Sequence, residues 1–146
     1  MGISIKSAWL VLGQMVCLVW LVFTGPVFPQ NLLAWVFFSL GWVIFFLGLK
    51  ALSRSKISVF PEPPKGAQLV VKGIYRYVRH PFYAALLLLA MALLINHFNV
   101  ARLIVCFCLL AILIIKLHFE EALLLKQFPE YEAYKKKSWR LIPQLY

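Results

Sequence analysis

The chain has 146 residues, of which 63% are hydrophobic and 16% aromatic, and a mean hydropathy of +0.85. Soluble domains stand closer to half apolar, so this composition excludes an ordinary globular domain and leaves room for a single membrane domain, 1–146. The formal charge of +10, from 15 Lys and Arg against 5 acids, lies beside apolar stretches; it therefore reads as positive-inside loops facing anionic lipid headgroups, with no nucleic-acid partner.

Met1–Ser7 carries one side-chain charge, Lys6, which stands where a myristoylation signal needs Ser or Thr. Ala8–Phe23 is apolar apart from Gln14 and predicts a transmembrane helix that ends near the Gly25-Pro26 break. No small-x-small cleavage site follows, which argues against a signal peptide. After a tight turn at Pro29-Gln30-Asn31, Leu32–Leu49 runs about 18 residues without a charge and predicts a second span. The short connection makes 1–52 a transmembrane hairpin. Trp35 and Trp42 share a helix face, where packing or lipid contact accounts for them. Cys17, Cys106 and Cys108 lie inside apolar runs without disulfide or zinc-type spacing, so no metal site is expected and they read as small buried residues.

Lys50–Lys72 is polar and interrupted. It holds Lys50, Arg54, Lys56, Lys65 and Lys72 with Pro61, Pro63 and Pro64. The prolines favour an extended crossing, and the Lys/Arg count places the loop in the cytoplasm. Pro81 is a natural first-turn residue for a third helix. Pro81–Phe98 is adequate for a span, Asn96–Asn99 is a polar turn on the outer side, and Val100–Leu117 returns as a fourth span. Arg102, near its start, is expected to snorkel outward. The helix should continue past the membrane to about Gln127 and stop at Phe128-Pro129. A short last helix follows, with Glu130 and Glu132 in its first turn and Lys135–Lys137 at its end, a charge order that suits the helix dipole. Trp139–Tyr146 is amphipathic and interfacial. The expected fold is thus all-α and multi-pass, with about four transmembrane helices, a cytoplasmic loop and a C-terminal amphipathic helix. Both termini and the site are placed in the cytoplasm, and the membrane is read as the plasma (inner) membrane.

Two polar clusters stand out against this background. Lys72–Tyr83 reads Lys-Gly-Ile-Tyr-Arg-Tyr-Val-Arg-His-Pro-Phe-Tyr, and His118–Glu121 reads His-Phe-Glu-Glu. Between them lies enough apolar sequence to cross a membrane and come back, at about 25 Å per helix. His80 and Tyr83 start the descent and Glu120 and Glu121 end the return, so the clusters meet on one membrane face. Taken singly, His80 could be a helix-start residue and Glu120-Glu121 a solvated edge pairing with Lys116. Taken together, ionisable residues near membrane depth favour a functional site.

The blocks Gly73-x-Tyr75-Arg76-x-x-Arg79-His80-Pro81-x-Tyr83, Glu120-Glu121-x-Leu123, Phe128-Pro129-Glu130-Tyr131-x-x-Tyr134 and Arg140-x-Ile142-Pro143 resemble the isoprenylcysteine carboxyl methyltransferase family and its phospholipid-methyltransferase relatives. The resemblance covers residues 66–146, the expected catalytic hairpin and tail. It implies an integral-membrane methyltransferase that uses S-adenosyl-L-methionine and acts on a lipid-like acceptor from the bilayer. The acceptor classes it implies are an isoprenylcysteine carboxylate, a phospholipid amine or a similar amphiphile. It further implies that Gly73, Tyr75, Arg76, Arg79, His80, Tyr83, Glu120, Glu121, Tyr131, Tyr134 and Arg140 line or close the cofactor pocket, with Glu120, Glu121 and His80 in the catalytic roles. A glutamate or His80 would serve as base if the acceptor must lose a proton. The absence of a Gly-rich strand–helix turn excludes the soluble methyltransferase architecture. The alternatives are a sterol-reductase-like membrane enzyme using NADPH and a small membrane protein without enzymatic activity. Three histidines are too few for a histidine-rich iron site.

Overall fold

The structure is a computed structural model and describes residues 4–52, 60–62, 66–144 and 146. Among the described residues it is helical: α1 (Ile5–Phe23), α2 (Leu32–Ala51), a 3-10 turn (Gly73–Arg76), α3 (Pro81–Asn96), α4 (Val100–Gln127) and the short α5 (Tyr131–Lys135). Arg54, Lys56, Pro63, Pro64 and Lys65, central to the expected extended crossing, lie outside the described residues.

Local chemistry sets most of the boundaries. The Ser4 side chain accepts from Ser7 N–H and starts α1 three residues before the apolar run. Asn31 and Asn99 cap α2 and α4 in the same way. Pro81 opens α3, as the sequence predicts, and Phe128 ends α4. By length and composition α1, α2 and α4 are apolar enough to cross a membrane. At 16 residues, or about 24 Å, α3 is shorter. It is also the most enclosed, with Ala84, Ala85, Ala90 and Ala92 buried; such small residues let helix backbones approach closely.

The packing pairs are not those suggested by chain order. α2 packs chiefly on α3, where Gly41 faces Ala85 and Leu89 while Gly48 faces Pro81 and Phe82. α1 packs chiefly on α4, through Gly13 against Ile112 and Gln14 against Lys116. α3 and α4 meet through Ala90 and Cys106, and through Leu93 and Arg102. Each of these pairs is antiparallel. The N-terminal ends of α1 and α3 and the C-terminal ends of α2 and α4 therefore share one end of the bundle. The core of Cys17, Leu21, Ala90, Leu93, Leu109 and Leu113 lies between α1, α3 and α4. α2 instead carries an aromatic ladder, Trp35–Phe38–Trp42–Phe46, with Trp42 and Phe46 stacked. Trp35 and Trp42 stay partly exposed, as lipid-facing residues would.

Arg102 corrects an expectation. It does not snorkel but is fully enclosed. Its Nη1 donates to Thr24 Oγ1 and its Nη2 to Leu93 O, both at 2.9 Å. Turning inward gives both terminal nitrogens an acceptor at the ends of α1 and α3, while Nε has no hydrogen-bond partner among the described residues. Gly25 makes room, since a Cβ there would lie 2.6 Å from Nη1. Asn96 completes this far end by donating to Pro26 O and Phe28 O and accepting from Gln30 N–H.

The tail also departs from the sequence reading. Beyond α5 the chain runs beside residues 77–80 as a short parallel bridge, Val78 with Trp139. Trp139 N–H donates to Tyr77 O, Arg79 N–H to Trp139 O and His80 N–H to Arg140 O. Leu141 is buried against Ala84 and Leu117. The alternation of Trp139, Arg140 and Leu141 is too brief a pattern to announce such pairing.

Candidate active site

Gly73 begins the site. Its φ of +62° is a left-handed conformation, which a side chain would strain. The 3-10 turn it opens turns Tyr75 into a cavity and leaves Arg76 in a separate surface groove with Tyr77, Tyr134 and Lys137. Residues 77–80 are then held by the tail bridge, which fixes Arg79 and His80 at the entry to α3.

Six side chains converge there, from the entry to α3, from α3 and α4, and from the tail. Tyr83 Oη donates to Glu120 Oε2 at 2.7 Å. The His80 ring lies nearly parallel to the Tyr83 ring, 5.3 Å between centroids. His80 Nδ1 is 3.6 Å from Glu120 Oε2, and Nε2 is 3.5 Å from Glu121 Oε1. Arg79 Nε donates to Glu121 Oε1 at 2.7 Å, while its Nη1 donates to Lys135 O and to Ser138 O. Arg140 Nε donates to the other Glu121 oxygen at 3.2 Å. Buried Glu121 thus joins α4, the entry to α3 and the tail into one knot.

The adjacent glutamates point to different tasks. Glu120 lines a cavity of about 340 Å³, together with Tyr75, Arg79, His80 and Tyr83; Glu121 stands behind that wall, clamped between arginines. Tyr131 is almost fully enclosed. Tyr134 donates to Tyr75 O at 2.6 Å and braces the 3-10 turn from outside. Arg140 carries its guanidinium over the Tyr146 ring and keeps its side chain partly exposed. His118, part of the second sequence cluster, is exposed and meets Tyr146 Oη instead of the cavity. His97 is at the far end, as the C-cap of α3.

Electrostatics narrow the proton chemistry. Burial disfavours the charged form of His80, but the hydrogen bonds and charges of Glu120 and Glu121 outweigh it and raise its pKa above the ordinary 6.5. Burial, reinforced by Glu120, raises the Tyr75 phenol, and burial with Glu121 nearby raises that of Tyr131. Tyr134 is pushed up to about 12 by burial. These phenols stay protonated near neutrality, so proton acceptance at the cavity falls to His80 and Glu120.

A model of the phospholipid methyltransferase family matches residues 29–131. The chain belongs to the phospholipid methyltransferase family. No curated protein matches it. As a phospholipid methyltransferase family member, it is a membrane methyltransferase by family and by its apolar helices. The matched stretch holds α2, α3, α4 and both polar clusters. It leaves out α1, which nevertheless contributes Gln14, Met15 and Leu18 to the cavity.

Gln14 and Lys116 are the site residues that motif reading overlooks. Lys116 Nζ donates to Gln14 Oε1 at 2.6 Å and lies 5.3 Å over the Tyr83 ring. The available signal was a lone amide in α1 and a cation in the middle of α4, each an interruption in an apolar run.

Proposed function

We propose that this chain is an S-adenosyl-L-methionine-dependent methyltransferase, acting on a lipid-like acceptor that enters the cavity from the bilayer. The observation that carries this reading is the environment of Glu120. The carboxylate faces a cavity of size suited to a small ligand. Tyr75, His80 and Tyr83 line the same wall, and the Tyr83 hydroxyl donates to Glu120, so a polar ligand in the cavity would meet the carboxylate together with aromatic faces.

The residues fit the cofactor's chemistry. When bound, S-adenosyl-L-methionine supplies a methyl carbon on a positively charged sulfur. Glu120 would hold a cationic group or the ribose hydroxyls, and the face of Tyr75 would take the adenine or the sulfonium. Both arginines bond Glu121; Arg79 is further engaged by tail carbonyls, so Arg140, whose side chain is partly exposed, is the arginine left to meet a carboxylate. His80 and Glu120 can accept a proton if the acceptor carries one. Glu121 orients Arg79, His80 and Arg140 and acts through them.

The whole chain is read as one catalytic unit, with α1 and α2 as cavity walls. Lys6, Lys50, Lys72, Arg76, Lys126, Lys135–Lys137 and Arg140 gather at the site end, against Arg102 and no other Lys or Arg at the far end among the described residues. This asymmetry supports a cytoplasmic site, and the plasma (inner) membrane is part of the same proposal.

Calorimetric titration of S-adenosylmethionine and S-adenosylhomocysteine into detergent-purified protein tests the proposal. Micromolar binding, weakened about tenfold or more by Glu120→Gln, is the expected result. No binding by folded wild-type protein would overturn it, and NADPH would be the next ligand to titrate.

A further inference from the structure

The groove that holds Arg76 lies apart from the cavity. It has a volume of about 620 Å³ and shares no lining residue with it. Arg76 enters it from the 3-10 turn and Lys137 from the tail, both exposed. Glu130 is the one acid in its lining among the described residues, so positive charge is in excess. Exposed Lys72 and Lys136 stand next to the same two segments in the chain, and the nearby acid Glu132 lies beside Lys135. Tyr77, Tyr134, Trp139, Leu69 and Val71 make the rest of the wall largely aromatic and apolar.

These surroundings suit a lipid head group better than a free anion. A Cβ on Gly73 would meet Ala51, the last residue of α2, at 3.2 Å. The 3-10 turn therefore stands at the depth where an apolar span ends. Exposed Tyr77 and Trp139, beside Arg76 and Lys137, are side chains of the kind that settle at head-group level. A free phosphate would leave the aromatic and apolar wall uncovered, whereas a phospholipid brings a glycerol backbone and acyl ends to it. An anionic lipid supplies the charge that the two cations attract, and Glu130 can accept from a head-group hydroxyl.

The groove also shares its walls with the supports of the cavity. Tyr134, in the groove, donates to Tyr75 O at 2.6 Å, and Tyr75 lines the cavity. Trp139, also in the groove, donates its N–H to Tyr77 O and accepts from Arg79 N–H. A phosphate held by Arg76 and Lys137 together would tie the turn to the tail, the same two segments that these bonds join.

We propose that this groove binds the head group of an anionic phospholipid, and that the bound lipid fastens the tail against the 3-10 turn and so raises the affinity of the cavity for its ligand. The lipid is an activator and not the methyl acceptor, since Tyr134 and the Tyr75 backbone stand between groove and cavity. The gain in cofactor affinity rests on the methyltransferase reading; the lipid site and its hold on the tail do not.

The test places the full chain in nanodiscs of phosphatidylcholine, with or without phosphatidylglycerol. It follows tryptic cutting at Lys135–Lys137 and, by calorimetry, the affinity for S-adenosylhomocysteine. Phosphatidylglycerol should slow cutting and tighten binding, each by at least about fivefold. Arg76→Gln, which leaves the cut sites intact, should lose both effects. Lys126→Gln, which removes the same charge outside the groove, should keep them. Glycerol phosphate added to phosphatidylcholine discs should do neither. Equal cutting in the two lipids, or equal loss in Arg76→Gln and Lys126→Gln, would overturn the site. An equal effect of glycerol phosphate would overturn the bilayer as its source. Slowed cutting with unchanged affinity would overturn the coupling. Slowed cutting with no S-adenosylhomocysteine binding in either lipid would overturn the methyltransferase reading and leave the lipid site standing.

Discussion

At the far end of the bundle, Arg102 is enclosed completely and its guanidinium meets a threonine hydroxyl and a backbone carbonyl. At the site end, Arg79 is enclosed nearly as well but meets Glu121, which also holds Arg140 and lies beside His80. The far end pairs one cation with neutral acceptors of the turns, an arrangement that fastens helices together. The site end gathers charges of both signs around a cavity. A buried arginine in a membrane helix therefore does not by itself mark a site; the company it keeps separates a fastening from a binding surface.

The comparison can be broken in order of expected effect. Glu121→Gln removes the charge from the knot and leaves Arg79 buried without its partner; a loss of about 3–5 kcal/mol should appear as a large fall in thermal midpoint, with the tail released to protease. Arg102→Met should cost about 2–3 kcal/mol through the lost charged hydrogen bonds, yet leave the cofactor affinity of the folded protein unchanged. If it weakened binding as Glu120→Gln does, the division between the ends would fail. Glu120→Gln should behave oppositely, holding the thermal midpoint to within about 1 kcal/mol while calorimetry shows the affinity drop.

The smallest effect concerns pH. The folded pKa of His80 is raised, so its contribution to stability is fully present below the ordinary 6.5 and is lost as pH rises through the folded value. Thermal midpoints should fall over that interval in the wild-type protein and fall less in His80→Gln. An identical slope in both would remove His80 from the charge balance of the site.

Much of this architecture is legible in the chain. The long apolar runs, the Pro81 start, the Phe128 stop and the convergence of His80 with Glu120 follow from periodicity, proline chemistry and span length. The sequence does not separate the tasks of Glu120 and Glu121, because adjacent residues on a helix differ by about 100° of rotation and only the tail's position decides which one it buries. Arg102 misleads for a related reason: snorkelling is the default for a cation near a helix end, and the groups that draw it inward are the last turn of α3 and a hydroxyl at the end of α1, 78 residues away. Gln14 is legible as a polar interruption, but its partner lies 102 residues away and no local pattern names it.

The tail bridge has a consequence for the order in which the protein is made. Synthesis runs from the N-terminus, so all four long helices exist before residues 135–140 leave the ribosome. Until they do, Arg79 lacks the Lys135 and Ser138 carbonyls, Glu121 lacks Arg140, and the segment 77–80 lacks its bridge. A chain ending at Gln127 would keep all four long helices and still have no finished pocket. Formation of the helices and completion of the pocket wall are thus separate events, and residues 135–140 set the second.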